Sequence, residues 1–207
     1  MPARHTGLPL EISHAPLRTV RARDVTAYAQ PHKELARLEA GGLLHRLAEG
    51  FYAVVPQDRV GRDWRPTLEG AAAGIGSAEF GAGQYALMGL TAARLHRAIP
   101  RAVAVAMIAA PRRRATIRMT DRPAAVRFIV RDVDALQVEM MQTDLGGCLV
   151  TTPEQTVLDL AHLPKFGEME DEAIHALLPR CDLELMAEIA ATQRLGRAFD
   201  RVRRMTA

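Results

Sequence analysis

Residues 34–56 read ELARLEAGGLLHRLAEGFYAVVP, and the fold turns on how that stretch is parsed. Leu35 and Leu38 stand three apart with the small Ala36 and Ala40 beside them, which predicts a helix over Pro31–Ala40. Pro31 suits a first helical position, where its missing N–H has no partner to lose, and would break a helix interior. Gly41-Gly42 ends the helix, because glycine accepts the left-handed C-cap conformation without a steric penalty. Apolar residues then alternate. Leu43, His45 and Leu47 share one face of a first strand, and Phe51, Ala53 and Val55 share one face of a second. Gly50 supplies the positive φ that a short hairpin turn requires.

Working outward, Val25, Tyr28 and Ala29 fall at i, i+3, i+4 and predict a further short helix over Ala22–Ala29. Helix, tight turn, helix, hairpin is the order of a winged helix-turn-helix. That arrangement lays its second helix in a DNA major groove and its hairpin wing against the backbone or minor groove. The chemistry asks for cations and hydrogen-bond donors on the outward side of that helix. Lys33 and Arg37 stand at i, i+4 with His32 beside them, and Arg46 and Tyr52 alternate away from the apolar set on the wing. Arg18, Arg21 and Arg23 precede the first helix, placed to neutralise phosphates. Glu34, Glu39 and Glu49 dilute this patch, so a merely solvated face or a protein-binding winged helix remains an open alternative.

Charge is uneven along the 207 residues. Residues 1–65 hold 10 basic and 7 acidic groups, residues 66–150 the same, and residues 151–207 hold 7 and 10. A cationic front and an acidic rear suit a chain whose first part meets an anionic partner. Cys148 and Cys181 form no C-x-x-C pair and read as buried thiols of a reducing cytoplasm. The N-terminus lacks the apolar core of a signal peptide. The longest apolar run, Ala102–Ala110, is about half of what spans a bilayer. A cytoplasmic protein with no membrane partner is expected.

The polar stretch 57–65 is the expected boundary between a reading head, residues 1–60, and a second domain, residues 61–207. The second domain is expected to be mixed. Helices are predicted at Thr67–Gly74 and Thr91–Ala98, with the four glycines of 76–89 bending around a strand. Strands are predicted at 102–109, 115–119, 125–131, 136–143 and 148–151, and helices at 169–178 and 182–195. Between them Thr152, Pro153 and Gln155 form a T-x-x-Q capping box at the head of a further helix. The fold class is therefore α+β, a winged helix followed by a mixed domain that ends in helices.

No constellation for chemistry stands out. Glu154 and Asp159 are five residues apart, roughly 140° round a helix, so they do not share a face; capping accounts for the first and solvation for the second. The seven histidines form no H-x-x-x-H or H-E-x-x-H pair, and no metal or cofactor is expected. Lys33 and Lys165, the two lysines, are poorly placed for a nuclease. Arg112, Arg113 and Arg114 form the densest cationic cluster, between two predicted strands. They suit nucleic acid, an acidic or nucleotide-bearing protein surface, or a plain solvated hairpin tip.

Four ordered segments resemble the AbiEi-type antitoxins of AbiE/MenAT toxin–antitoxin pairs. They are R-x-x-x-V-T-A-Y-A from Arg21, L-x-R-L-E-A-G-G-L-L-H-R-L-A-E-G-F-Y-A-V-V-P from Leu35, L-T-A-A-R-L-H from Leu90 and V-T-T-P-E-Q-T-V-L-D-L-A from Val150. The resemblance runs from about Arg18 into the C-terminal helices, and the last segment is its most specific part. It implies a non-enzymatic antitoxin whose winged helix binds double-stranded DNA at its own promoter as autorepressor, with a homodimer on paired half-sites left open. It also implies a C-terminal domain that opposes a nucleotidyltransferase-like toxin, and it places Lys33, Arg37 and Arg46 on the DNA-facing helix and wing. Two alternatives stay beside it. One is a transcriptional regulator whose C-terminal domain binds a ligand or dimerises. The other is an antitoxin that modifies its toxin.

Overall fold

The computed structural model describes residues 7–162 and 168–206. Residues 1–6 of the proline-containing arm and Lys165 lie outside them. The chain begins with α1 (Leu10–Ser13), β1 (Thr19–Arg21), α2 (Pro31–Ala40) and the hairpin β2 (Leu44–Ala48) and β3 (Phe51–Val54). α2 stops as its glycines dictate. Gly42 takes φ +72° and donates to the Glu39 carbonyl at 2.9 Å, while Leu43 N–H reaches back to the Leu38 carbonyl at 3.0 Å. These two bonds satisfy carbonyls that a helix end otherwise leaves orphaned. β1 adds to the hairpin to give an antiparallel sheet in the order β1-β3-β2.

Two expectations about this unit are corrected. No helix forms over Ala22–Ala29. A single 3₁₀ turn, Ala22–Asp24, takes its place. The reason is a competing acceptor: the Glu11 carboxylate takes the Thr26 and Ala27 N–H groups at 2.9 and 2.8 Å, so their hydrogen bonds are satisfied without a helix. The hairpin, in turn, does not alternate between core and solvent. Leu44, Tyr52 and Val54 pack with Leu35 and Leu38 of α2, while Leu47, Ala48, Phe51 and Ala53 enter a second core on the opposite side. A bulge between Arg46 and Ala48 turns Leu47 and Ala48 the same way. Tyr52, expected to point outward, is buried. A sheet covered on both faces has no polar face for the alternation to reveal.

The rest of the chain supplies α3 (Leu68–Phe80), β4 (Ala86–Leu87), α4 (Gly89–Leu95), β5 (Val105–Ala110), β6 (Ile117–Arg118) and β7 (Ala125–Val130). After them come β8 (Val138–Thr143), β9 (Gly146–Thr151), α5 (Pro153–His162), α6 (Glu168–Leu177), α7 (Leu183–Thr192) and α8 (Gly196–Thr206). The strands make one mixed sheet in the order β6-β7-β5-β4-β9-β8, with β5/β7 and β4/β9 parallel. Along β5 the pleat sorts side chains. Ala106, Ile108 and Ala110 join the core shared with α3, while Met107 and Ala109 turn to a smaller cluster with Met88 and Leu136. A further core, holding Leu158, Ile174, Met186 and Val202, unites α5 to α8. The fold is thus mixed α+β, with eight helices and two sheets among the described residues.

α3 runs on through Gly74 and Gly76, past the end predicted for it. The glycines serve close packing: a Cβ on Gly74 would stand 2.1 Å from Thr19 Oγ1, and one on Gly76 would stand 2.6 Å from the Tyr85 ring. Across the polar 57–65 stretch the core is continuous, since Leu47, Phe51 and Ala53 share it with Ala71, Ile75 and Leu145. The edge of β2 is also tied down. Ala48 bridges Met119, and Thr120 N–H donates to the Leu47 carbonyl at 3.0 Å. His45 Nε2 meets Asp121 Oδ2 at 2.8 Å. Burial works against ionising Asp121, but hydrogen bonds from Arg122 and His45 outweigh it and hold its carboxyl below the usual range.

Candidate nucleic-acid interface

The turn after β1, the start of α2 and the β2–β3 hairpin enclose a cleft of about 400 Å³ with the segment after β5. Arg21, Arg23, His32, Arg46 and Arg114 line it, with Glu49, Phe51 and Tyr52. Four of the six residues expected from sequence to face DNA therefore meet at one place, joined by one of the three arginines expected to contact a toxin or nucleic acid. Local geometry explains the convergence. β1 pairs with β3 so that Arg21 lies opposite Phe51, and Arg46 lies opposite Tyr52 across the hairpin. Each guanidinium sits over an aromatic ring, Arg21 at 5.6 Å from the Phe51 centroid and Arg46 at 5.2 Å from that of Tyr52.

The cations of the cleft are not equally available. Arg21 is buried and pairs with Glu79 Oε2 at 3.0 Å, so its assignment as a DNA contact is corrected: it is spent on an internal carboxylate. Burial draws its guanidinium down from the ordinary value, opposed by Glu79. Arg23 is exposed, with Asp24 at 3.6 Å. Arg46 pairs with Glu39 at 3.0 Å, and its Nε is buried without an acceptor. His32 is exposed at the first turn of α2.

Glu79, near the end of α3, is the hub that the sequence did not disclose. Its side chain is 2% exposed, and Arg21, Arg112 and Arg114 all reach it, the last two at 3.5 and 3.2 Å. Arg112 also stacks on Phe80 at 5.0 Å and donates to the Glu79 carbonyl. The segment is not a hairpin tip, because β7 lies between β5 and β6. The picture of three free guanidiniums is therefore corrected: Arg112 and Arg114 are drawn in by Glu79, while Arg113 points to solvent. Of the three arginines, Arg21 and Arg114 line the cleft, and Arg21 also has Asp24 at 3.8 Å. A lone Glu near a helix end carries no pattern that predicts this; only the register of distant strands creates it.

Beside the cleft, α2 presents Lys33 and Arg37 outward. Arg37 Nε is held by Glu34 at 2.9 Å, a hydrogen bond that raises its guanidinium above the ordinary value.

The fold has a solved counterpart. The RV2827C protein from Mycobacterium tuberculosis is similar over 89% of this chain and 72% of its own, with a TM-score of 0.55 and 18% identity. At that identity the likeness concerns the fold alone. No protein-family model matches the chain, and no curated protein matches it.

The other residues weighed for chemistry lie apart from the cleft. Asp159, expected to be solvated, is fully buried, which corrects that reading. Its Oδ1 accepts from Arg131 at 2.8 Å and from Gln155 Nε2 at 3.1 Å. Burial raises its carboxyl above the usual range, opposed by Arg131. Gln155 does not close the capping box either. Thr152 Oγ1 caps the Gln155 N–H at 3.4 Å, but the Gln155 amide turns inward and exchanges hydrogen bonds with Gln193. Cys148 and Cys181 are free thiols, pushed up by burial to about 11 and about 12. Among the described residues no three His, Cys, Asp or Glu side chains group as a metal site, and no helix is long and apolar enough to cross a membrane.

Proposed function

We propose that this chain is an AbiEi-type antitoxin and autorepressor that binds its promoter DNA through the cationic cleft and the outward face of α2. The observation that carries the reading is the convergence of Arg23, His32, Arg46 and Arg114 on one cleft, next to exposed Lys33 and Arg37. A duplex offers a phosphate every few ångströms, and a concave cationic wall flanked by a cationic helix matches that spacing. The order α1, β1, 3₁₀ turn, α2, β2, β3 with β1 pairing the hairpin supports a winged helix whose middle helix has shrunk to one turn. α2 then takes the recognition position and the Ala48–Gly50 turn the wing tip. The ordered segments down to TTPEQTVLDLA support the antitoxin part, acting in the cytoplasm on a nucleotidyltransferase-like toxin.

Two experiments test the two halves separately. A gel shift on the DNA upstream of its own gene should give a complex that competitor DNA of unrelated sequence does not displace; displacement by any DNA ends the autorepressor reading. Co-expression with the adjacent gene should relieve that gene's toxicity. A harmless neighbour, or one still toxic in the presence of this chain, ends the antitoxin reading whatever the gel shows.

A further inference from the structure

We infer that a second cleft, which shares no lining residue with the cationic one, binds an apolar α-amino acid. It lies between β5, β7, α4 and the start of α6, encloses about 430 Å³, and is walled by Leu90, Val103, Val105, Met107 and Met169. That volume falls within the range of small-ligand sites, ~300–1,000 Å³. Part of the wall follows from the pleat: Val105 and Met107 stand two residues apart on the side of β5 opposite Ala106 and Ile108, which feed the main core, and Val103 joins them from the segment before the strand.

Two charged residues complete it. Glu170 lines the cleft and is 8% exposed, yet among the described residues it pairs with no cation and accepts no hydrogen bond. Arg127, the cross-strand neighbour of Met107, lines the same cleft, is exposed and is likewise uncommitted. The residue is buried while its carboxylate oxygens are not sealed from solvent, so the charge stays open to a ligand entering the cleft. The helix start does not account for it. Glu168 and Asp171 already place acids in that first turn, and Glu168 does so from solvent, with no desolvation cost.

Other cavities lack this feature. Beside His45 the polar groups are paired with one another, His45 with Asp121 and Arg46 with Glu39. Beside Arg131, both Arg131 and Gln193 are committed to the Asp159–Gln155 cluster.

An apolar wall with an open carboxylate and an exposed guanidinium is complementary to an apolar α-amino acid. An ammonium goes to Glu170, a carboxylate to Arg127, and an aliphatic, thioether or aromatic side chain to the valine, leucine and methionine wall. The inference is independent of nucleic-acid binding, since none of these residues borders the cationic cleft.

Calorimetric titration of the full chain with L-leucine, L-methionine and L-phenylalanine tests it. At least one should bind saturably. Its analogue without the ammonium, such as 4-methylpentanoate for leucine, should bind at least tenfold more weakly, and its amide, lacking the carboxylate, more weakly than the amino acid. Glu170→Gln should lose the same tenfold, and Arg127→Ala, a change at an exposed position, should weaken binding severalfold. No heat from any of the three amino acids overturns the inference, as does 4-methylpentanoate binding as tightly as leucine. Both ligand arms use the native chain, so they decide the matter even where Glu170→Gln does not fold.

Discussion

Glu79 and Asp159 are both buried carboxylates on helices, both held by arginine, and they do different things. Glu79 gathers three guanidiniums from two distant segments, and two of them, Arg21 and Arg114, line an open cleft. Asp159 meets one guanidinium, Arg131, and one amide, Gln155, and Gln193 bonds to both of these so that the cluster closes on itself beside the packed core of α5 to α8. The stoichiometry makes the difference. One carboxylate per arginine neutralises and rivets; Glu79, shared among three arginines with Asp24 beside Arg21, only anchors them, and Arg114 carries its charge to the cleft wall. Buried ion pairs contribute little net stability but are costly to break from one side.

The largest expected effect is that of Asp159→Ala. It leaves the half-buried Arg131 without its counter-charge and should lower stability by about 3–5 kcal/mol in urea denaturation. DNA affinity of the folded fraction should be unchanged, and a variant that stays folded but loses DNA would break the comparison. Glu79→Gln comes next. Losing the shared counter-charge should cost about 3 kcal/mol, because three guanidiniums then repel one another. The same change should tighten DNA binding at low salt and steepen its salt dependence, read by fluorescence anisotropy. Weaker DNA binding from a folded Glu79→Gln would mean that Glu79 positions the arginines rather than merely holding back their charge.

Arginines of the cleft and of the helix should separate in the same assay. Arg114→Ala should weaken binding to all sequences alike and reduce the salt slope by about one unit, as a phosphate contact does. Arg37→Ala should cost about 1–3 kcal/mol on the operator and little on unrelated DNA if it reads a base. An unchanged gel shift for Arg37→Ala removes α2 from the groove and leaves the cleft as a general anion site.

Much of the deciding stretch was legible because its signals are local. Pro31, Gly42 and Gly50 fix a helix start, a helix stop and a turn through their own backbone preferences, and each stands where the pattern put it. What failed was decided from a distance. Glu11 reaches fifteen residues along the chain to satisfy Thr26, and no window over Ala22–Ala29 contains it. Tyr52 was read as outward from strand alternation and Asp159 as a solvated acid, while the surfaces that cover them come from other segments. Gly76 was read with the glycines of 76–89 that bend around a strand and not with α3, although helix propensity is a weak term beside packing. Gly76→Ala makes that testable. Alanine favours a helix by roughly 1 kcal/mol, but the added Cβ would stand 2.6 Å from Tyr85, a ring only 2% exposed. Overpacking of this kind costs about 1–3 kcal/mol, so thermal unfolding should find the variant less stable and Tyr85→Leu should partly rescue it.

The smallest effect distinguishes two carboxylates by sign. Asp121 titrates below the ordinary 3.8 in the folded chain, so its contribution is complete above that value and is lost as pH falls through the lowered folded value. Asp159 titrates above 3.8, so the folded chain holds its proton more firmly than the unfolded one. Its contribution is complete at low pH and is lost as pH rises from 3.8 through the raised folded value. Compared with wild type in urea midpoints across the acid range, Asp121→Asn should therefore show a deficit that shrinks on acidification. Asp159→Asn should show one that grows. Parallel slopes for the two variants would mean that Arg131 offsets the burial of Asp159, which would then be a firmer ion pair than its sealed surroundings suggest.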